Sequence, residues 1–214
     1  MNQLVGVYGA GGCGRGIMPL LRTQLGKCAE SLVFIDDHVS QTVNGNPVWT
    51  WRRFLEEETN SRAVCIAIAS SRVRERLYQL CLQADIEVIG ARATSVIEMD
   101  DVEVGPGALL SPFVTLTSNI RIGRCFHANL YSYVEHDCRI GDFVTFAPAV
   151  HCNGNVHIGD HAYIGAGSVI KQGESDRPLV IGAGAIVGMG SVVTKDVPAG
   201  ATVVGNPARP HQKR

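Results

Sequence analysis

The sequence predicts two units in tandem: an α/β domain with a parallel sheet, then a parallel β-helix built from six-residue repeats. Two patterns carry that reading. Residues 1–95 alternate strand-like and helix-like segments, the signature of a parallel sheet with crossover helices. From Val104 the apolar period is six, which no α-helix supports, since six residues rotate a helix by about 600° and the stripe would wander. Of 24 glycines in 214 residues, 15 follow residue 100 in a chain that is 45% hydrophobic and 6% aromatic. Many tight turns joining short strands would use them.

The elements follow in order. Leu4–Tyr8 is a short strand ending at Gly9, and Gly14–Leu25 is a helix with Ile17, Leu20, Leu21 and Leu25 at helical spacing, Pro19 being an imperfection. Leu32–Ile35 is a second strand, closed by Asp36-Asp37. Asn44-Gly45-Asn46-Pro47 is a turn, and Trp51–Glu58 a short helix. Ala63–Ala69 is a buried strand, Val73–Ala84 a helix and Ile86–Ile89 a further strand. This order makes residues 1–95 a small Rossmann-like domain.

Every sixth residue from Val104 reads Val104, Leu110, Leu116, Ile122, Ala128, Val134, Ile140, Phe146, Cys152, Ile158, Ile164 and Ile170, with no polar residue among them. The positions four further on are small or apolar too, from Ala108 to Ser168. The lattice breaks at Lys171–Val180 and resumes five residues out of phase at Ile181, Val187 and Val193. Three hexads make a triangular coil of 18 residues, so residues 104–198 give about five stacked coils roughly 4.8 Å apart. The lattice places Cys138 and Cys152 in the core and lets Cys125 face outward.

Composition excludes several classes. Lys+Arg total 19 against Asp+Glu 20, a net charge of −1, so the basic excess of a general nucleic-acid binder is missing. The apolar content excludes a disordered chain. No apolar run reaches the ~20 residues of a membrane span, and the N-terminus lacks a signal-peptide pattern. Seven scattered cysteines (13, 28, 65, 81, 125, 138, 152) without a CxxC pair read as reduced cytoplasmic thiols. His38, His127, His151, His157, His161 and His211 include no two residues one coil apart, so no metal is expected.

His136 is the leading catalytic candidate. Two residues after Val134, its side chain points away from the core, and Asp137 stands ready to fix its tautomer. A surface histidine with a fortuitous acidic neighbour is the plain alternative. In the first unit, Gly9-Ala10-Gly11-Gly12-Cys13-Gly14 joins a strand to a helix start, where backbone N–H groups can meet a phosphate. Asp36-Asp37 ends the second strand, the place from which a dinucleotide enzyme's acid binds a ribose. A domain of ~95 residues is small for the full dinucleotide fold, so no NAD is expected.

The segment from Ala128 to Asp142 resembles the active-site coil of the hexapeptide-repeat sugar N- and O-acetyltransferases, which act on sialic acids or nucleotide-linked 4-amino-sugars. Ser111–Thr115, Phe143–Pro148, Cys152-Asn153-Gly154, Ile170–Gly173 and Val204–Arg209 carry the same likeness. It is nearest to the members that act on GDP-perosamine. The resemblance implies a left-handed β-helix, acetyl-CoA as co-substrate, and a Rossmann-like domain that binds the nucleotide-sugar. It implies His136 as general base, Asp137 as its partner, Asn129 near the reacting groups and the Gly154 N–H at the thioester carbonyl. It also implies nucleotide-sugar contacts from Gly9, Gly11, Gly12, Cys13, Gly14, Asp36 and Asp37. Ala166, Gly167, Gly184 and Gly190 would flank the pantetheine arm and adenosine, with Arg209, Lys213 or Arg214 at the CoA phosphates, although a frayed cationic terminus explains those residues equally well. Some relatives carry histidine where this chain has Cys13 and Thr145. The expected assembly is a homotrimer with active sites between subunits, and the expected setting O-antigen (lipopolysaccharide) biosynthesis in the cytoplasm. O-acetylation of a sialic acid or another surface-polysaccharide sugar is the alternative within the class, and an idle scaffold that binds nucleotide-sugar the alternative outside it.

Overall fold

The computed structural model describes residues 3–26, 32–39 and 41–211; Cys28, Lys213 and Arg214 lie outside them. The chain divides into two compact units, Met1–Arg92 and Ala93–Arg214.

The first unit holds β1 (Gln3–Tyr8), α1 (Gly12–Leu25), β2 (Leu32–Ile35), β3 (Val48–Trp49), α2 (Trp51–Glu56), β4 (Ser61–Ile66), α3 (Ser71–Gln83) and β5 (Glu87–Val88). All pairings are parallel, in the order β3-β2-β1-β4-β5. The order turns back at β1, so the crevice beyond the carboxyl ends of β1 and β4 is the place where such sheets bind ligands. The loop Gly9–Gly11 opens from that end of β1. Val5, Val7, Phe34, Ile35, Val64 and Ile66 fill the core.

Three differences from the sequence reading have local causes. The first helix starts at Gly12, because the glycines that dilute the apolar pattern still adopt helical geometry. The Asn44–Asn46 turn leads into a two-residue strand, too short to leave a period. The third helix starts at Ser71, capped by Ser70, whose Oγ accepts the Val73 N–H at 3.4 Å.

The second unit is the left-handed parallel β-helix that the lattice and the resemblance predict. A six-stranded face runs through Ile97–Glu98, Thr115–Leu116, Tyr133–Val134, His151–Cys152, Val169–Ile170 and Val192–Val193. A five-stranded face runs through Val102–Val104, Ile120–Ile122, Arg139–Ile140, Val156–Ile158 and Leu179–Ile181. The third includes Leu109–Leu110, His127–Ala128, Thr145–Phe146, Tyr163–Ile164, Ile186–Val187 and Thr202–Val204. Lattice residues stack 18 apart, as in Leu116↔Val134↔Cys152↔Ile170. Past the break the step is 23, since Ile158 pairs with Ile181 and Ile164 with Val187. The interruption itself is shorter than expected, because Leu179 and Val180 belong to a strand.

The lattice residues and their companions form one buried core, with the Ser132 and Ser168 hydroxyls donating to the Ala147 and Gly188 carbonyls. Cys125 corrects the expectation of an outward thiol. It is fully buried, at a corner where its N–H donates to the Pro106 carbonyl and φ is 49°.

Candidate active site

Each coil has three corners, and like corners stack into three edges. The edge between the six- and five-stranded faces carries Asp101, Asn119, Asp137 and Asn155, one per coil, all at positive φ. His136 stands on this edge with Nδ1 at 2.7 Å from Asp137 Oδ2. An ionised carboxylate only accepts, so the neutral ring carries its proton on Nδ1 and leaves the Nε2 lone pair free. The ring lies against Gly154 of the next coil, where an added Cβ would fall 2.6 Å from Nε2 and 2.5 Å from Cε1. Any side chain at 154 would displace the imidazole. The other carboxylate oxygen, Asp137 Oδ1, accepts from Asn119 Nδ2 at 3.2 Å. The hydrogen bond from His136 first, and that from Asn119 after it, hold the Asp137 carboxyl below its ordinary range.

The Gly154 N–H, which the resemblance places at a thioester carbonyl, donates to Glu135 Oε2 at 3.2 Å. The sequence thus locates the donor beside the histidine and misses its partner. Cys138 and Cys152 lie fully buried beneath this corner, as the lattice predicts. Both point a thiol at the Asn153 carbonyl, Cys138 at 3.3 Å and Cys152 at 3.8 Å. Their hydrogen bond to each other, with burial, pushes the Cys152 thiol up, and the same bond lowers the Cys138 thiol. It is the complete burial of both residues that keeps either from serving as an accessible nucleophile.

The remaining predicted residues fall on other corners. Asn129 opens the corner before strand Tyr133–Val134 and His136 follows that strand, so the two stand on opposite margins of the six-stranded face. The Asn129 side-chain amide donates to the Phe146 carbonyl at 2.7 Å. Ala166, Gly167 and Gly190 share the Asn129 edge, linked by the Gly190 N–H to the Ala166 carbonyl. Gly184 corrects the grouping: it bonds to the Asp160 carbonyl on the third edge, with Cys125 and His161. The 23-residue step is the reason: an unbroken 18-residue period would stack Gly184 on Ala166, whereas the extra five residues stack it on His161. Arg209 is exposed in a short hairpin strand, its guanidinium on the Ala208 carbonyl. Thr145 is buried, in register between His127 and Tyr163.

In the first unit Gly9 has φ 103°, and an added Cβ at Gly14 would fall 1.8 Å from the Gly9 carbonyl oxygen. Both are demanded by the turn. At Gly11 an added Cβ would meet nothing within 4 Å, which leaves the α1 N-terminus open to an incoming group, and Gly12 stands beside it. Asp36 accepts the Ala10 and His38 N–H groups at 3.1 and 3.0 Å. Asp37 accepts the Tyr8 hydroxyl at 3.3 Å and the Trp51 N–H at 2.9 Å. Both acids therefore tie loops together at the crevice, a role the sequence did not reveal. Burial raises the Cys13 thiol, which keeps it protonated.

Residues 5–80 match the PglD N-terminal domain family, and residues 137–172 the bacterial transferase hexapeptide family. A GDP-perosamine N-acetyltransferase of Escherichia coli O157:H7 is 50% identical over 211 residues, covering 97% of this chain and 96% of the relative. The chain belongs to the hexapeptide-repeat sugar acetyltransferases. WeeI from Acinetobacter baumannii AYE superposes with TM-score 0.96 at 55% identity, over 98% of this chain and 100% of that one. PerB from Caulobacter crescentus, solved with CoA and GDP-perosamine, superposes with TM-score 0.87 at 26% identity, over 98% and 97%.

For a hexapeptide-repeat acetyltransferase, the histidine–carboxylate pair was legible because its members are adjacent in sequence. Asn119 was missed, although it stands one 18-residue coil before Asp137 and the period alone could have found it. Ser175 and Pro178, from the segment that interrupts the lattice, line a cleft of about 530 Å³ with Asn119, Asp137, Arg139 and His157. A larger groove of about 670 Å³ follows the five-stranded face along Arg121, Arg139 and His157 without reaching His136.

Proposed function

We propose that this enzyme transfers the acetyl group of acetyl-CoA to the C4 amine of a nucleotide-linked 4-amino-4,6-dideoxy-sugar, with GDP-perosamine as the best candidate. The observation that carries the reading is His136, its Nδ1 on Asp137 and its Nε2 free beside Gly154. Nε2 takes a proton from the amine as nitrogen attacks the thioester carbonyl, and the tetrahedral intermediate collapses with loss of the CoA thiolate. No covalent enzyme intermediate is needed. The Gly154 N–H stabilises the oxyanion once it exchanges its bond to Glu135 for the substrate oxygen. The first unit, residues 1–95 in the sequence reading, binds the nucleotide-sugar at Gly9–Gly14, and residues 96–214 carry the chemistry and acetyl-CoA. The name of the full-length relative and the CoA and GDP-perosamine bound to PerB support the pairing of substrates.

The opposite placement of His136 and Asn129 also supports a homotrimer, in which one subunit's His136 edge faces the edge of the next that bears Asn129, Gly167 and Gly190. The setting is the cytoplasm, as part of lipopolysaccharide O-antigen synthesis. No described helix is long and apolar enough to cross a membrane.

The test incubates GDP-, UDP- and dTDP-linked 4-amino-sugars with acetyl-CoA and follows free thiol. Thiol release with an amino-sugar, reduced ~10²–10⁴-fold in His136→Ala, is the expected result. Release with none of the amino-sugars, but with a hydroxyl acceptor such as a sialic acid, overturns N-acetylation.

A further inference from the structure

The basic catalytic pair has a third member one coil away. We infer that Asn119 is a positioning residue: its side-chain amide holds the Asp137 carboxylate in the orientation that fixes the His136 ring. This deepens the reading of His136 as general base and rests on it.

Asp137 is half-exposed and projects from a corner, so packing alone does not restrain rotation of its carboxylate. Two hydrogen bonds do, one at each oxygen: His136 Nδ1 at Oδ2 and Asn119 Nδ2 at Oδ1. An ionised oxygen accepts only, so the amide nitrogen must be the group that Asn119 presents. Asn119 is itself fixed, because its N–H donates to the Asp100 carbonyl and the next N–H, of Ile120, to that of Asp101. The donor therefore sits on a rigid coil, and its reach across the inter-coil step sets the carboxylate plane. Asn155 occupies the same place one coil beyond and gives its N–H to the His136 carbonyl, so the histidine is held by its backbone from one side and through its partner carboxylate from the other. The other charged groups near Asp137 are Asp101, Arg121, Arg139 and His157, which line the same cleft, and Glu135 on the adjoining strand end. Arg121 is bound to Asp101 and Glu103 and does not substitute for Asn119.

The test compares Asn119→Gly, which keeps the left-handed corner (φ 59°), with Asn119→Asp, which keeps the shape but replaces the donor by a negative charge. With the full-length enzyme, both are expected to lower kcat about tenfold, a fraction of the ~10²–10⁴ that a positioned base supplies, with KM for acetyl-CoA unchanged. In Asn119→Asp the extra negative charge favours the imidazolium, so the acidic limb of the kcat/KM profile moves to higher pH. Wild-type kcat and an unmoved acidic limb in both variants, with His136→Ala inactive, overturn the positioning role and leave the general base standing. A rise in KM with kcat unchanged also overturns it, placing Asn119 in substrate binding. Full activity in His136→Ala would remove the base itself and the inference with it. Thermal melting of each variant separates these outcomes from loss of fold.

Discussion

At His136, a ring resting on a glycine leaves the histidine's position dependent on an atom that is missing. Gly154→Ala adds the one methyl that collides with Cε1 and Nε2. A displacement of about an ångström is expected to cost on the order of 10²-fold in kcat, with the melting temperature nearly unchanged because the half-exposed imidazole can move aside into solvent. Steady-state kinetics and a melting curve check both halves. Asp137→Asn keeps the size of the side chain but removes the charge that steadies the imidazolium. Loss of kcat on the order of 10²-fold with normal binding of acetyl-CoA is expected. Because pairing lowers the Asp137 carboxyl in the folded state, its contribution to stability is present above the ordinary aspartate range and lost as pH falls through the lowered value. The acid side of the stability–pH curve should flatten in Asp137→Asn. His136 and Asp137 were legible because they are neighbours in sequence, whereas Asn119 and Glu135 act through distances that only stacked coils create.

The coil explains which features the sequence discloses. From Asp101 to Gly167 every sixth residue has positive φ, yet only Gly107 and Gly167 of those twelve are glycine. From Phe113 to His161 the non-glycine corners tolerate the left-handed conformation because their N–H groups donate to the preceding coil, as Tyr131 does to the Pro112 carbonyl, Phe143 to that of Arg124 and Phe113 to the Ser95 hydroxyl. The glycines after lattice residues serve a different need. At Gly159 an added Cβ would fall 2.5 Å from the Ala183 nitrogen of the next coil. The abundance of glycine therefore pointed to the right fold for an incomplete reason: close stacking of coils uses more of them than corner geometry does. Gly159→Ala is expected to lower stability by ~1–3 kcal/mol through backbone crowding, read as a shifted denaturation midpoint. Phe146→Ala, at the edge-to-face contact with Phe126, should cost ~3–5 kcal/mol as a core cavity. The hexad lattice was visible because burial on three faces enforces it, whereas the two-residue strand Val48–Trp49 left no period to read.

At the scale of the whole molecule, a net charge of −1 supplies no long-range steering of partners; the proposed homotrimer is tested by mixing variants. If subunits share sites, His136→Ala and Asn129→Ala chains, each nearly inactive alone, should regain activity when co-refolded, because some interfaces then pair an intact His136 with an intact Asn129. Recovery to a measurable fraction of wild-type turnover on mixing, with none from either variant alone, is the expected outcome. The 23-residue step has a consequence of its own. Since Ile158, Ile164 and Ile170 find Ile181, Val187 and Val193 despite five extra residues, the segment between them can vary in length without altering any strand pairing. The stack is thus a chassis onto which the wall of the Asp137 cleft is bolted as a replaceable part, free to change while the frame stays fixed.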